Sequence, residues 1–86
     1  MTNDRLAAAR ARAEQLYGQS TATLMEVLEA TNEALARLNV PAYCTNQQAA
    51  DGVTTGRWEG RPDHFNLIGI IVVSEARLAG AGARYS

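Results

Sequence analysis

The most apolar stretch of the chain is Phe65–Ser74, with the sequence FNLIGIIVVS. Alternation along an extended chain would put apolar side chains on both faces, as in a strand that is buried on both sides. The β-branched side chains and the internal Gly69 argue against a helix. The run is also far shorter than the ~20 apolar residues that a transmembrane helix needs. We therefore expect a central strand here, with the other residues packed around it.

Two helices are predicted before this strand. Residues 3–17 are rich in alanine, and apolar residues recur there at helical spacing. A second helix carries a stronger apolar stripe with glutamates on its opposite face, and Asn39 and Pro41 are expected to end it. The stripe consists of Leu24, Val27, Leu28, Thr31, Leu35 and Leu38. Gly18 is a suitable C-cap for the first helix, but a single long helix through Gly18 would cost only ~1 kcal/mol relative to alanine.

A β-rich part is predicted over residues 40–79. Val40–Thr45 fits a short strand that has its proline near the start, and Asp51–Gly52 is a turn signal. Val53–Glu59 is predicted as a second strand. A turn at 60–63 would then complete a hairpin with the central strand.

The predicted fold class is α+β, in a single domain over residues 1–86. Two antiparallel N-terminal helices, forming a helical hairpin over residues 3–39, pack on a small, mostly antiparallel C-terminal sheet of about three strands. Residues 74–79 fit either a two-turn helix or a continuation of the strand. Residues 80–86 are expected to form a loose tail.

Self-association is expected from the apolar pattern. Ile68, Ile70 and Val72 form the second face of the predicted strand, and the chain has no further long apolar element to cover them. Disulfides within the chain are excluded because Cys44 is the only cysteine. His64 is the only histidine, so a structural zinc site lacks ligands. We expect a homo-oligomer with no metal and no cofactor.

Charge and targeting signals narrow the choice of partners. The net charge is −1, all positive side chains are arginines, and they are scattered along the chain. Duplex nucleic acid is therefore not an expected partner, because phosphate neutralisation dominates that affinity. No secretory signal, transmembrane helix or lipidation motif is recognisable, so no membrane contact is expected. A lone cysteine fits a reducing compartment, and we expect a cytoplasmic protein.

Recognition-type side chains are densest beside the predicted hairpin turn. Arg57, Trp58, Arg61 and His64 combine planar cations, an indole and a titratable ring. Such residues are enriched at protein–protein hot spots. They would also suit a planar anionic ligand such as a nucleotide, held at a subunit interface. A third interpretation leaves the charges solvated and puts Trp58 in the core.

Catalysis has little support in the residue pattern. Cys44 and His64 would make a nucleophile and base, with Asn46 or Asn66 as the orienting group. No Gly-rich elbow or oxyanion segment accompanies them, so a cysteine-dependent enzyme is kept only as a third hypothesis. We expect a small non-enzymatic binding or regulatory protein of the inhibitor or sequestering type that acts through protein–protein contact. Chains of this size include inhibitors carried by phages and mobile elements, and a module for a small anionic ligand is the alternative.

Overall fold

The computed structural model describes residues 2–58 and 63–85, with side chains described over 7–58 and 63–81. These ranges contain four α-helices and no strand. The helices are α1 (Thr2–Leu16), α2 (Thr21–Arg37), α3 (Asn46–Thr55) and α4 (Asp63–Tyr85). The predicted α+β class is therefore wrong, because two helices and a loop stand where the three-stranded sheet was expected.

The predicted central strand is the N-terminal half of α4. This helix continues through residues 74–79 and on to Tyr85, into the part expected as a loose tail. Each β-branched residue in a helix costs only a few tenths of a kcal/mol, and Gly69 about 1 kcal/mol, relative to alanine. Burial of a large aliphatic side chain contributes about 1.5–3 kcal/mol, so the apolar run outweighs its own weak helix propensity.

Helix α3 occupies the place of a predicted turn and part of a predicted strand. It begins with a capping box, in which the Gln48 amide donates to Oγ1 of Thr45 (3.0 Å) and the Thr45 amide donates to Oε1 of Gln48 (2.8 Å). It ends at Gly56, whose φ of 63° lies in the left-handed region. Residues 40–45, predicted as a strand, are an irregular loop between α2 and α3. The expected hairpin turn at 60–63 lies outside the described residues, except for Asp63 in α4.

Helix α2 confirms the second predicted helix. Ser20 caps its N-terminus by accepting a hydrogen bond from the Thr23 amide (3.2 Å). Its buried residues all belong to the predicted stripe, and they are Leu24, Leu28, Thr31 and Leu35. Gly18, with a φ of 93°, lies between α1 and α2, so the alternative of one continuous helix is wrong.

Helix α4 is the centre of the packing. Helices α1, α2 and α3 each pack against it, and α2 also packs against α3. No helix in the described ranges is both long and apolar enough to cross a lipid bilayer. The core cluster draws members from all four helices, namely Leu16, Leu24, Leu28, Ala49, Leu67, Ile68, Ile70 and Ile71.

One polar cluster connects three helices. Nε of Arg12 in α1 donates to Oε1 of Glu75 in α4 at 3.1 Å, and the Thr31 hydroxyl in α2 lies 3.2 Å from the same oxygen. Both charged side chains are only partly buried, so we assign the ion pair about 1 kcal/mol or less. Its main effect is to orient α1 and α2 around α4.

The assignment of the faces of α2 can be tested by truncation. We expect Leu28→Ala to lower the free energy of unfolding by about 2–5 kcal/mol, because it removes a fully buried side chain. Glu29→Ala, on the exposed face, should change it by less than about 0.5 kcal/mol. Urea titration monitored by circular dichroism measures both, and equal losses would show that the faces are misassigned.

Candidate functional site

Four aromatic side chains from separate segments of the chain border one surface. Tyr17 follows α1, Tyr43 lies between α2 and α3, Trp58 follows α3, and Phe65 belongs to α4. The rings of Tyr17 and Phe65 are in contact, with centroids 5.8 Å apart. Phe65, Tyr43 and Trp58 line one groove of about 560 Å³. We call these four residues the aromatic surface; Tyr17 is 68% exposed, Tyr43 51% and Phe65 46%.

An apolar stripe of α4 borders the same groove. Phe65, Gly69 and Val73 are spaced by four residues and therefore share one face of the helix. All three are exposed and line the groove, and we call them the exposed stripe. The other sides of α4 are covered by α1, α2 and α3.

The uncovered face is not the one expected from a strand. Ile68 and Ile70 are buried, and Val72 is partly buried. The chain itself therefore covers the face for which the sequence predicted a second subunit. The residues of α4 that stay exposed are instead those of the exposed stripe, because the repeat of α4 is 3.6 residues and not two.

The indole of Trp58 is positioned by two glycines. Gly56 ends α3 in a left-handed conformation, and the amides of Gly56 and Arg57 both donate to the Gly52 carbonyl, at 2.8 and 3.3 Å. This reversal returns the chain toward α3, where the indole packs against Gly52. A Cβ atom on Gly52 would overlap the ring. Trp58 thus packs on the core with one side and lines the groove with another.

The loop between α2 and α3, which carries one of the aromatic rings, is held by side chains from two helices. Nδ2 of Asn32 in α2 donates to the Cys44 carbonyl (3.2 Å) and to Oδ1 of Asn46 (2.8 Å). Nη1 of Arg77 in α4 donates to the Pro41 carbonyl (2.9 Å). These bonds fix the backbone of the loop beside the groove, and with it the position of Tyr43, whose ring is exposed.

The structure brings two of the four predicted site residues together. Arg57 is exposed and, like Trp58, lines both the 560 Å³ groove and a second pocket of about 460 Å³. Asp51 also lines the second pocket. Arg57 makes no ion pair within the described part of the chain.

The other two predicted residues are not placed in these pockets. The ring of His64 is partly buried and stands edge-on to Phe65, with centroids 5.7 Å apart and an interplanar angle of 88°. It lines neither pocket. Arg61 lies outside the described residues.

Sequence reasoning missed Tyr17, Tyr43 and the outward face of the Phe65–Val73 stretch as site residues. Tyr17 and Tyr43 are far from the Arg57–Trp58 segment in sequence, so no local pattern could connect them to it. Two signals were available. The four-residue spacing of Phe65, Gly69 and Val73 fits one helix face, and Thr45 followed by Gln48 is a capping-box pattern.

The nucleophile–base hypothesis gains no geometric support. Burial raises the pKa of the Cys44 thiol, which lowers the thiolate fraction at neutral pH. No hydrogen bond joins Cys44 and His64 within the described ranges, and Asn46 accepts from Asn32. Among the same residues, no group of three or more His, Cys, Asp and Glu side chains could hold a metal ion.

The packing of Trp58 on Gly52 can be tested with its own fluorescence, since it is the only tryptophan. We expect Gly52→Ala to displace the indole, shift its emission to longer wavelength and cost about 1–3 kcal/mol of stability from overpacking. Gly69→Ala is the matched control, because open space surrounds a Cβ there. An unchanged emission spectrum in Gly52→Ala would contradict the contact.

The raised pKa of Cys44 predicts slow alkylation of the folded protein. A raised pKa leaves less thiolate at neutral pH in the folded state than in the unfolded state, and only the thiolate reacts rapidly. The rate of iodoacetamide labelling, followed by mass spectrometry, should therefore increase several-fold when urea unfolds the chain. Equal rates in both states would show that the fold does not protect the thiol.

Comparisons with known proteins provide no family for this chain. No protein-family model matches the sequence, and no curated protein or solved structure is significantly similar to it. The function therefore has to be inferred from the geometry and chemistry of the aromatic surface.

Proposed function

We propose that the protein is a non-enzymatic binding protein that acts by holding another protein on its aromatic surface. The convergence of four aromatic side chains from separate segments carries this proposal. Three of the rings are about half exposed or more, although the chain has a core into which such side chains would normally pack. Aromatic residues are enriched at protein interfaces, whereas most of the exposed surface is depleted of them.

Burial of this surface would contribute favourably to the free energy of a complex. Removing about 100 Å² of an aromatic side chain from water contributes about 2.5 kcal/mol. Several such rings would offset much of the entropy lost on association, for which estimates start at about 4 kcal/mol. The rings of Trp58 and Phe65 also belong to packed elements, so little further ordering is required when a partner binds.

The positive charge of Arg57 favours a partner with a negative charge. Among the described residues that line the 560 Å³ groove, Arg57 is the one that carries a charge. A partner with a carboxylate near its apolar contact residues would pair with this guanidinium, which can form two parallel hydrogen bonds. We therefore expect the partner to present an apolar segment next to an aspartate or glutamate.

The small-ligand alternative has weaker support. Asp51 lines the second pocket together with Arg57, and a carboxylate there opposes an anionic ligand. The larger groove is partly apolar in its lining, with Phe65, Ile70 and Val73 among its residues. Protein contact is also better supported than a cysteine enzyme, since partial burial raises the pKa of the Cys44 thiol and lowers its thiolate fraction.

A role as an inhibitor or sequestering protein agrees with this mode of action. A chain that binds its target through the aromatic surface can act by occupying that target. A cytoplasmic location remains part of the proposal, on the basis of the unpaired cysteine.

The test begins with the immobilised chain in a lysate of its source cells, followed by purification of the retained partner. Calorimetry should then show that Arg57→Ala weakens binding at least tenfold, or about 1.4 kcal/mol. Arg37→Ala is the matched control, because Arg37 is exposed in α2 and lines neither pocket. Its affinity should equal that of the wild-type chain.

The aromatic rings are tested with the same partner. Tyr43→Ser should reduce affinity at least as much as Arg57→Ala while the melting temperature stays nearly constant, since the ring is half exposed. Full affinity in both variants would place the binding site elsewhere and contradict the proposed function.

A further inference from the structure

We propose that the exposed stripe of α4 binds the same stripe of a second copy of the chain, with the two helices antiparallel and crossing at Gly69. This assigns an occupant to one part of the aromatic surface, and so it rests on the proposed binding function. The observations that carry it are the unexplained glycine at the centre of the stripe and the charges at its two ends.

In the described part of the chain, the missing side chain of Gly69 makes room for no neighbouring group. A glycine in the interior of a helix costs about 1 kcal/mol relative to alanine. At Gly52 the missing side chain makes room for the indole of Trp58, but apart from the neighbouring backbone of α4 no described atom lies within 4 Å of a Cβ built on Gly69. The distance between two packed helices depends on the side chains at their contact. A second helix that crosses α4 at Gly69 could therefore approach closely, because no side chain stands between the two backbones.

The stripe is symmetric about this glycine. Phe65 and Val73 each lie four residues from Gly69, or about 6 Å along the helix axis. In an antiparallel pair centred on Gly69, Phe65 of one copy lies level with Val73 of the other. The same patch is then used on both copies, as a twofold dimer requires.

The charges select the antiparallel arrangement. Asp63 and Arg77 are both exposed and lie before and after the stripe. They are six and eight residues from Gly69, about 9 and 12 Å along the axis. In an antiparallel pair, the positions of Asp63 in one copy and Arg77 in the other therefore differ by only about 3 Å along the helix axis. A parallel pair would place like charges together, which is unfavourable.

Both charges also lie on the same side of the stripe. A helical repeat of 100° per residue rotates Asp63 and Arg77 by about 120° and 80° from Gly69 in the same sense. Arg77 donates one hydrogen bond to the Pro41 carbonyl on this side, and its other N–H groups have no partner among the described residues. In a twofold dimer, the side of α4 that carries both charges lies next to the same side of α4 in the second copy. Asp63 of each copy then pairs with Arg77 of the other, which gives two ion pairs.

The test is the self-association of the purified intact chain, measured by sedimentation equilibrium at low ionic strength. The expected mass is twice 9.2 kDa. Asp63→Arg and Arg77→Asp, made singly, should each weaken dimerisation roughly tenfold, because each replaces two attractions with two repulsions. The double variant should recover most of the wild-type affinity. A monomeric wild-type chain, or a double variant as weak as the singles, would overturn the proposal.

A second variant separates dimerisation from folding. Gln is a better helix former than glycine, so Gly69→Gln should keep or raise the melting temperature while abolishing the dimer by obstructing the crossing point. Ala36→Gln, exposed in α2, is the matched control and should leave the dimer intact. Dimerisation of Gly69→Gln at wild-type strength would also overturn the proposal.

The two proposals fail in different ways. Asp63 does not line the groove that contains Arg57 and Trp58, so Asp63→Arg leaves that groove unchanged. Arg77→Asp does not serve in this comparison, because it also removes the hydrogen bond that holds the loop carrying Tyr43. A monomeric wild-type chain that still binds a foreign protein through Arg57 would overturn only the dimer. The opposite result is a dimer whose affinity recovers in the double variant, together with a foreign partner whose affinity does not change in Arg57→Ala. It would overturn only the proposed function.

Discussion

Helix α4 has apolar side chains on nearly every side, and the arrangement of the other helices follows from the need to remove them from water. Leu67 and Ile71 are fully buried, and Ile68 and Ile70 nearly so. At about 1.5–3 kcal/mol for each buried side chain, this helix supplies a large part of the driving force of folding. No single amphipathic helix is wide enough to cover such a surface. Helices α1, α2 and α3 each cover one sector of it, and the remaining sector is the exposed stripe.

The candidate site is a consequence of the same packing. Three connections between helices end close to this remaining sector, and each brings an aromatic ring with it. Trp58 arrives through the left-handed reversal at Gly56 and the missing side chain of Gly52, while Asn32 and Arg77 hold the loop that carries Tyr43. Backbone anchoring of this kind reduces the ordering that a complex requires. The proposed binding surface is therefore pre-organised at the backbone.

Local patterns were sufficient for several features. The leucine stripe of α2, the end of α1 near Gly18 and the position of the most apolar segment all follow from spacing and capping preferences that act over a few residues. Arg57 and Trp58 could also be selected from their side-chain chemistry, and the structure places both beside the groove. The start of α3 was present in the Thr45–Gln48 pattern, but its polar composition and the Asp51–Gly52 pair led to a turn being predicted.

The conformation of residues 65–74 was decided only by tertiary structure. An uninterrupted apolar run has neither a two-residue nor a 3.6-residue period, so it specifies burial on all sides without specifying helix or strand. When this segment is helical, α1, α2 and α3 can pack around it, and the residues after Ser74 extend the helix to Tyr85. The aromatic surface could not be predicted from the sequence. Its four side chains come from separate segments, and they lie close together only because these segments pack on α4. They are Tyr17, Tyr43, Trp58 and Phe65. What the sequence determined by itself is where the core lies and which residues could recognise a partner; which of them face the same side was decided by how α4 is covered.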